Sequence, residues 1–214
     1  MNNDDVKAGE RATGGSARRQ ELLRRTLDYA AEHSLSGLSL RPLAKAIGSS
    51  PRVLLYLFGS KSGLIREVLA LNRALQLDLL RDATESAAGP RETFERLWAW
   101  LIHPARANVR RLFFEAYTQS AGNHDEAWRG FAEQSVNDWL APLRSLARND
   151  SVLPEAKAEA TLVLAVMRGL FLDLLATDDH ERVTAAWQAF LAAHYPQASP
   201  NRPRGSASGH RTGR

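Results

Sequence analysis

The stretch SLRPLAKAIGSSPRVLLYLFGSKSGLI, residues 39–65, punctuates the chain more tightly than any other and leaves few folds open to it. Ser39 stands where a helix N-cap belongs, and Pro42 falls in the first turn, where its missing N–H does no harm. Gly48 follows at the point where a helix leaves through a left-handed residue. Ser50 then caps a second short helix with Pro51 in its first turn, Gly59 ends it, and Ser60-Lys61 starts a third. Two short helices joined by a three- to four-residue turn containing glycine make a helix-turn-helix. Ala44 allows the two to approach closely, and Leu43, Ile47, Leu54 and Leu57 are the residues expected to seal them against a helix over residues 17–34.

Elsewhere the apolar spacing is also helical. Leu23, Leu27, Ala30 and Ala31 form one such face, and Leu64, Val68, Leu71 and Leu75 form another. No segment alternates as a strand does. Breaks at Gly37, Gly48-Ser49-Ser50, Gly59, Ala88-Gly89-Pro90, Pro104, Gly122-Asn123, Asn149–Pro154 and Thr177–Asp179 divide the chain into about nine helices. The fold class is therefore all-α, with an N-terminal three-helix domain over residues 17–66 and a helical domain over residues 67–195. Residues 1–16 and 196–214, rich in Gly, Ser, Asn, Pro and charge, are expected to be unstructured arms.

Composition narrows the function. The 214 residues include no cysteine, so disulfides, thiolate metal sites and a Cys nucleophile are excluded. The polar start and the lack of any run of 18 apolar residues predict a reducing, cytoplasmic location with no membrane partner. The histidines are scattered without metal-ligand spacing, and no GxSxG or phosphate-cradling glycine loop occurs, so neither an enzyme, a metal site nor a cofactor is expected. Charge is divided unevenly: nine Lys/Arg face three Asp/Glu between Ala17 and Arg66, whereas thirteen face eighteen between Glu67 and Tyr195. A basic first domain on an acidic remainder points to a polyanion at one end.

With Leu54 and Leu57 inward, Ser50, Pro51, Arg52, Val53 and Tyr56 fall on the outer side of the second short helix, the side that a helix-turn-helix presents to the major groove of double-stranded DNA. Arg52 suits a guanine edge, Val53 a thymine methyl, and Tyr56 a base or a phosphate. Ser39, Arg41, Ser50 and Lys61 are the candidate backbone contacts, Lys61 because the N-terminal turn of a helix is a natural phosphate seat.

The run Ala44, Gly48, Ser50, Leu54, Phe58, Ser60, Lys61, Leu64, near the start of a chain of this length, resembles the DNA-binding domain of the tetracycline-repressor (TetR) family of bacterial regulators. The resemblance is strong over residues 17–70, and MRGLFLDLLATDDHERVTAAWQAFLAA, from Met167, is similar to the last two helices of many members. Two positions depart from the family pattern: Leu55 and Leu57 stand where aromatic residues are common, with Tyr56 between them, and Val53 replaces a frequent Thr. The resemblance implies a homodimeric transcriptional regulator, a repressor released from its operator by a small-molecule effector in the second domain.

On that basis the effector site is expected among Trp98, His103, Phe113, Tyr117, Trp128, Trp139, Met167 and Arg168, with Trp100 and Phe114 as further lining groups. Neither an anionic nor a cationic effector is favoured by these residues, and Arg111 and Glu115, at i and i+4, are expected to form a helical ion pair. The dimer interface is expected on the last two helices through Leu162, Val166, Gly169, Leu170, Asp173, Val183, Trp187 and Phe190. The alternatives are a nonspecific architectural DNA-binding protein, or a ligand-binding or interaction protein that has lost operator recognition.

Overall fold

The computed structural model describes residues 3–122, 125–146 and 153–196; the expected C-terminal arm, from residue 197 on, lies outside the described residues. Among these residues there are nine α-helices and no strand: α1 (Asn3–His33), α2 (Leu40–Ala46), α3 (Pro51–Phe58), α4 (Lys61–Ser86), α5 (Pro90–Ile102), α6 (Ala107–Gly122), α7 (Phe131–Ser145), α8 (Leu153–Thr177) and α9 (His180–His194). A 3-10 turn, Pro104–Arg106, joins α5 to α6. The N-terminal arm expected to be unstructured is instead helical from Asn3. No proline interrupts residues 3–16, so α1 extends backward without a break.

α1, α2 and α3 close over a small core of Leu22, Leu27, Ala30, Leu43, Ala44, Ile47, Leu54 and Phe58, all buried. The α1 face is rotated from the expected one. Leu22 and Thr26 are fully buried while Leu23 is only partly so, because Thr26 satisfies its hydroxyl on the Leu22 carbonyl at 2.7 Å and can enter the core as a compact residue. α4 leaves this domain and forms the spine of the second, packing on α1, α5 and α7. Its inward face carries Leu64, Ile65, Val68, Leu69 and Leu80 together with Asn72 and Gln76, whereas Leu75 is 49% exposed.

The second domain is centred on aromatic side chains. Trp98 of α5 stacks between Phe171 of α8 and Trp187 of α9 at centroid distances of 5.2 and 5.0 Å, and Phe94 meets Trp187 edge-on at 6.3 Å. Arg182, at the start of α9, donates from both Nη atoms to Asp173 of α8 at 2.7 and 2.8 Å. These donations hold the Asp173 carboxyl below its ordinary range and fix the angle between the last two helices.

Candidate functional site

The second helix of the helix-turn-helix is built by local chemistry. The Ser50 hydroxyl accepts from the Val53 N–H at 3.3 Å, and Pro51 presets the first turn of α3. Leu54 and Phe58 anchor the helix inward at 1% and 6% exposure. On the other side, Arg52 is exposed, Val53 and Leu55 are 40% and 43% exposed, and Tyr56 is 86% exposed. Arg52 and Tyr56 are one helical turn apart and so share that side. The phenol ring is not buried within the subunit. Ser39 sits at the N-cap of α2 without accepting a capping bond, and its hydroxyl is exposed beside Arg41.

The turn into α4 is the tightest joint of this domain. The Ser60 hydroxyl caps α4 by accepting from the Gly63 N–H at 2.9 Å, which places Lys61 at the first helical position, exposed. A Cβ on Gly63 would lie 2.3 Å from the Phe58 carbonyl oxygen, so only glycine fits there. Gly63→Ala is therefore expected to destabilise the protein by about 1–3 kcal/mol through overpacking, lowering the melting temperature by roughly 2–12 °C. A scan of both proteins by circular dichroism checks this; an unchanged midpoint contradicts the close approach.

Positive charge in the first domain divides into two uses. Arg18 donates to the Gly48 carbonyl at 3.1 Å and Arg25 to the Ile47 carbonyl at 3.3 Å, so both hold α1 against the α2–α3 turn. Arg19 donates to the Leu57 carbonyl at 3.4 Å, pairs with Glu67 at 2.5 Å and lies over the Phe58 ring, which locks α1, α3 and α4 together. Arg66 pairs with Glu126 across the domain boundary at 2.6 Å. Arg41, Lys45, Arg52 and Lys61 are exposed and, among the described residues, have no ion pair. Four of the nine basic residues are thus structural; of the other five, all exposed, Arg24 lies on α1 and the rest belong to α2, α3 and the start of α4.

Glu115 of α6 does not pair with Arg111 as expected. Its carboxylate accepts instead from the Ser34 hydroxyl and from the backbone N–H groups of Leu35 and Ser36, at 3.1 and 2.7 Å, in the loop between α1 and α2. Burial alone would raise its pKa, but the donations from Ser34, Ser36 and Leu35 outweigh it and hold the carboxyl below its ordinary range. Arg111 donates to Asn108. The sequence offered no signal for this contact, which spans about 80 residues.

α6 also forms one wall of a cavity of about 40 Å³ enclosed by α4, α5, α6, α7 and α8. Its apolar lining is Trp100, Leu101, Val109, Phe113, Phe114, Trp139, Leu164, Met167 and Phe171, and its polar lining is Gln76, Arg106, Arg110 and Arg168. Of the expected effector residues, Phe113, Trp139, Met167 and Arg168 line this space. Trp98 does not: it is consumed by the aromatic stack and donates its indole N–H to Thr184 at 3.3 Å. Trp128 is buried in the turn before α7, and exposed His103 accepts from the Ala105 N–H at the end of α5. Tyr117 stands outside the lining but beneath Arg168, 4.9 Å from its guanidinium carbon.

No family model and no curated protein matches the chain. Solved structures do. A transcriptional regulator from Rhodococcus sp. Rha1 superimposes with a TM-score of 0.71 at 20% identity, over 86% of this chain and 99% of that one. A TetR-family regulator from Cytophaga hutchinsonii gives a TM-score of 0.70 at 15% identity, over 82% and 92%. The chain has the TetR-family fold. A third structure with it, a protein from Saccharomonospora viridis described as a transcriptional regulator and solved in complex with choline, gives a TM-score of 0.65 at 20% identity, over 84% and 97%.

Within the TetR fold of this chain, the last two helices divide the expected interface residues. Val183 and Trp187 are fully buried in the subunit's own core and cannot meet a second copy. Asp173 is engaged by Arg182. Leu162 is 44% exposed, Gly169 is exposed, and Val166, Leu170 and Phe190 are partly exposed. A residue the sequence reading passed over, Leu172, is 50% exposed. Ala158, Leu162, Ala165, Gly169 and Leu172 recur every three or four residues and are all exposed, making one apolar stripe along α8.

Proposed function

We propose that this chain is a one-component transcriptional regulator that occupies operator DNA as a homodimer, acts as a repressor, and is released by a small molecule in the cavity between α4 and α8. The observation that carries the reading is the outer side of α3, where Arg52, Val53 and Tyr56 project from a rigidly capped helix and have no use inside the subunit. Arg41, Lys45 and Lys61 flank it with unpaired charge, which suits a phosphate backbone. Ser39 and Ser50 add hydroxyls at the two helix starts.

Dimerisation is supported by α8. Within Pro154–Thr177 the most apolar 18-residue window has a mean hydropathy of 1.8, high enough for a membrane span by composition, yet only 33% of that window is buried in the subunit. Covering the stripe with the same stripe of a second copy removes that surface from water and gives two recognition helices, as two half-sites about one helical turn apart require.

Release follows from α6. Arg110, Phe113 and Phe114 line the cavity, and Glu115 on the same helix holds the α1–α2 loop. A ligand that displaces α6 therefore acts on the domain carrying α3, and it favours whichever arrangement of the dimer binds it better. The choline complex of the Saccharomonospora viridis protein supports small-molecule binding as something this fold accommodates.

Substitution separates the roles in DNA binding. Arg52→Ala should relax discrimination at one base pair per half-site by about 1–3 kcal/mol, whereas Lys61→Ala should weaken all sequences alike and reduce the salt slope by about 1 per subunit. Titrations of a selected site and its single-base variants across a salt series measure both. Equal effects of the two substitutions on every sequence would contradict the assignment.

A further inference from the structure

Among the described residues, three arginines line the central cavity and no carboxylate does. Arg110 is 6% exposed, and its Nη1 donates to the carbonyls of Leu101 at 2.6 Å and His103 at 3.1 Å. Those bonds pin the guanidinium to the end of α5, while its buried Nε has no hydrogen-bond partner among the described residues. Arg168 donates to the Ser135 carbonyl at 3.1 Å and stands over the rings of Phe113 and Tyr117, at 5.5 and 4.9 Å. Arg106 lies 3.3 Å from the centroid of Trp100.

None of the three has an ion pair among the described residues, and Asp178 acts on Arg110 only through space. In each case burial is the main influence and pushes the group below the ordinary arginine value. Arg110 is buried, and Arg106 and Arg168 are partly buried; a guanidinium moved out of water without a counter-charge is costly, most of all for Arg110, and a bound anion relieves that cost. Apart from Gln76, the remaining walls are aromatic and aliphatic, which disfavours a highly hydrated ligand. A cation of any kind would meet three like charges.

We propose that the cavity, about 40 Å³ as it stands and widened by the displacement of α6 that release requires, takes a small organic monoanion, a carboxylate on a compact apolar body, with Arg110, Arg106 and Arg168 addressing the carboxylate and Phe113, Trp139 and Met167 holding the body. This rests on the reading of the cavity as the effector site and adds the chemical class of the effector. The buried Nε of Arg110 is the donor that a carboxylate oxygen satisfies. Arg168, already held by Ser135 and two rings, keeps its orientation whether or not the ligand is present.

The test uses the full chain and a matched probe series: benzoate, phenylacetate and hexanoate against benzamide, benzyl alcohol and benzyltrimethylammonium. Trp100 and Trp139 line the cavity, so quenching of tryptophan fluorescence reports binding. Carboxylates are expected to bind at least about tenfold more tightly than their neutral counterparts, the size of one charge-assisted hydrogen bond, and the ammonium probe is expected not to saturate. Arg106→Gln and Arg168→Gln should each remove the carboxylate preference, and Arg106→Lys should keep part of it. Arg110→Met should remove it as well; because Arg110 also ties down the end of α5, the other two variants decide the matter if this one fails to fold. Neutral probes binding as tightly as carboxylates, or no saturable carboxylate binding at millimolar concentration, overturns the proposal. Operator binding measured on the same samples separates the two failures. A protein that binds its operator but prefers neutral ligands keeps the regulator and loses the anion; one that binds carboxylates but no DNA does the reverse.

Discussion

Leu162→Glu is expected to convert the proposed dimer into a folded monomer and to weaken operator binding by about 10²–10⁴-fold, the gain that linking two half-site contacts supplies. Leu162 is 44% exposed in the middle of the α8 stripe, with Ala158 and Ala165 one turn to either side. Two copies meeting along that stripe would bury one glutamate from each, side by side and without a partner, which an apolar interface does not tolerate. In a lone subunit the same glutamate stands in water and costs little, within about 0.5 kcal/mol. The expected result is thus a later elution in size exclusion with unchanged helical content by circular dichroism. An unchanged elution volume with full DNA affinity would place the interface elsewhere.

Trp187→Ala gives the opposite pattern. Trp187 is fully buried, stacked on Trp98 at 5.0 Å and on Phe190 at 5.5 Å. Removing the ring leaves a cavity that joins α5, α8 and α9, at a cost of about 3–5 kcal/mol and a drop in melting temperature of roughly 6–20 °C. Its indole Nε1 is buried without a partner among the described residues, so Trp187→Phe retains the apolar contact, abandons no hydrogen bond seen there and should recover most of the loss. Thermal melts of both variants check this. A Trp187→Ala protein that melts like its parent but elutes as a monomer would put this side chain on the interface after all.

These two residues show where the sequence is informative and where it stops. The helix-turn-helix is legible because its signals are local: Ser50 caps α3, Pro51 opens it, and Gly48 and Gly59 adopt positive φ at the turns that need it. The outward side of α3 follows once Leu54 is placed inward. Faces of long helices are less secure, since polar residues that bond within their own element pass for surface. Thr26 entered the core that way, and α4 turned Asn72 and Gln76 inward while Leu75 went out. Nor does apolar character separate a core residue such as Trp187 from an interface residue such as Leu162; only the packing of α9 on α5 does. Contacts between distant segments are invisible for the same reason. Glu115 has an arginine four residues before it, yet it serves the loop between α1 and α2. Arg106 and Arg110 drew no notice in the sequence because a cavity is a property of five helices together.

Operator binding itself is tested most directly by fluorescence anisotropy of the full-length protein on the DNA flanking its own gene, against a scrambled duplex, at near-physiological salt, followed by selection from random-sequence DNA. The expected result is a preference of about a thousandfold or more for one sequence, organised as two related half-sites. Equal, salt-sensitive affinity for both duplexes, with no motif emerging from the selection, would contradict an operator-binding regulator.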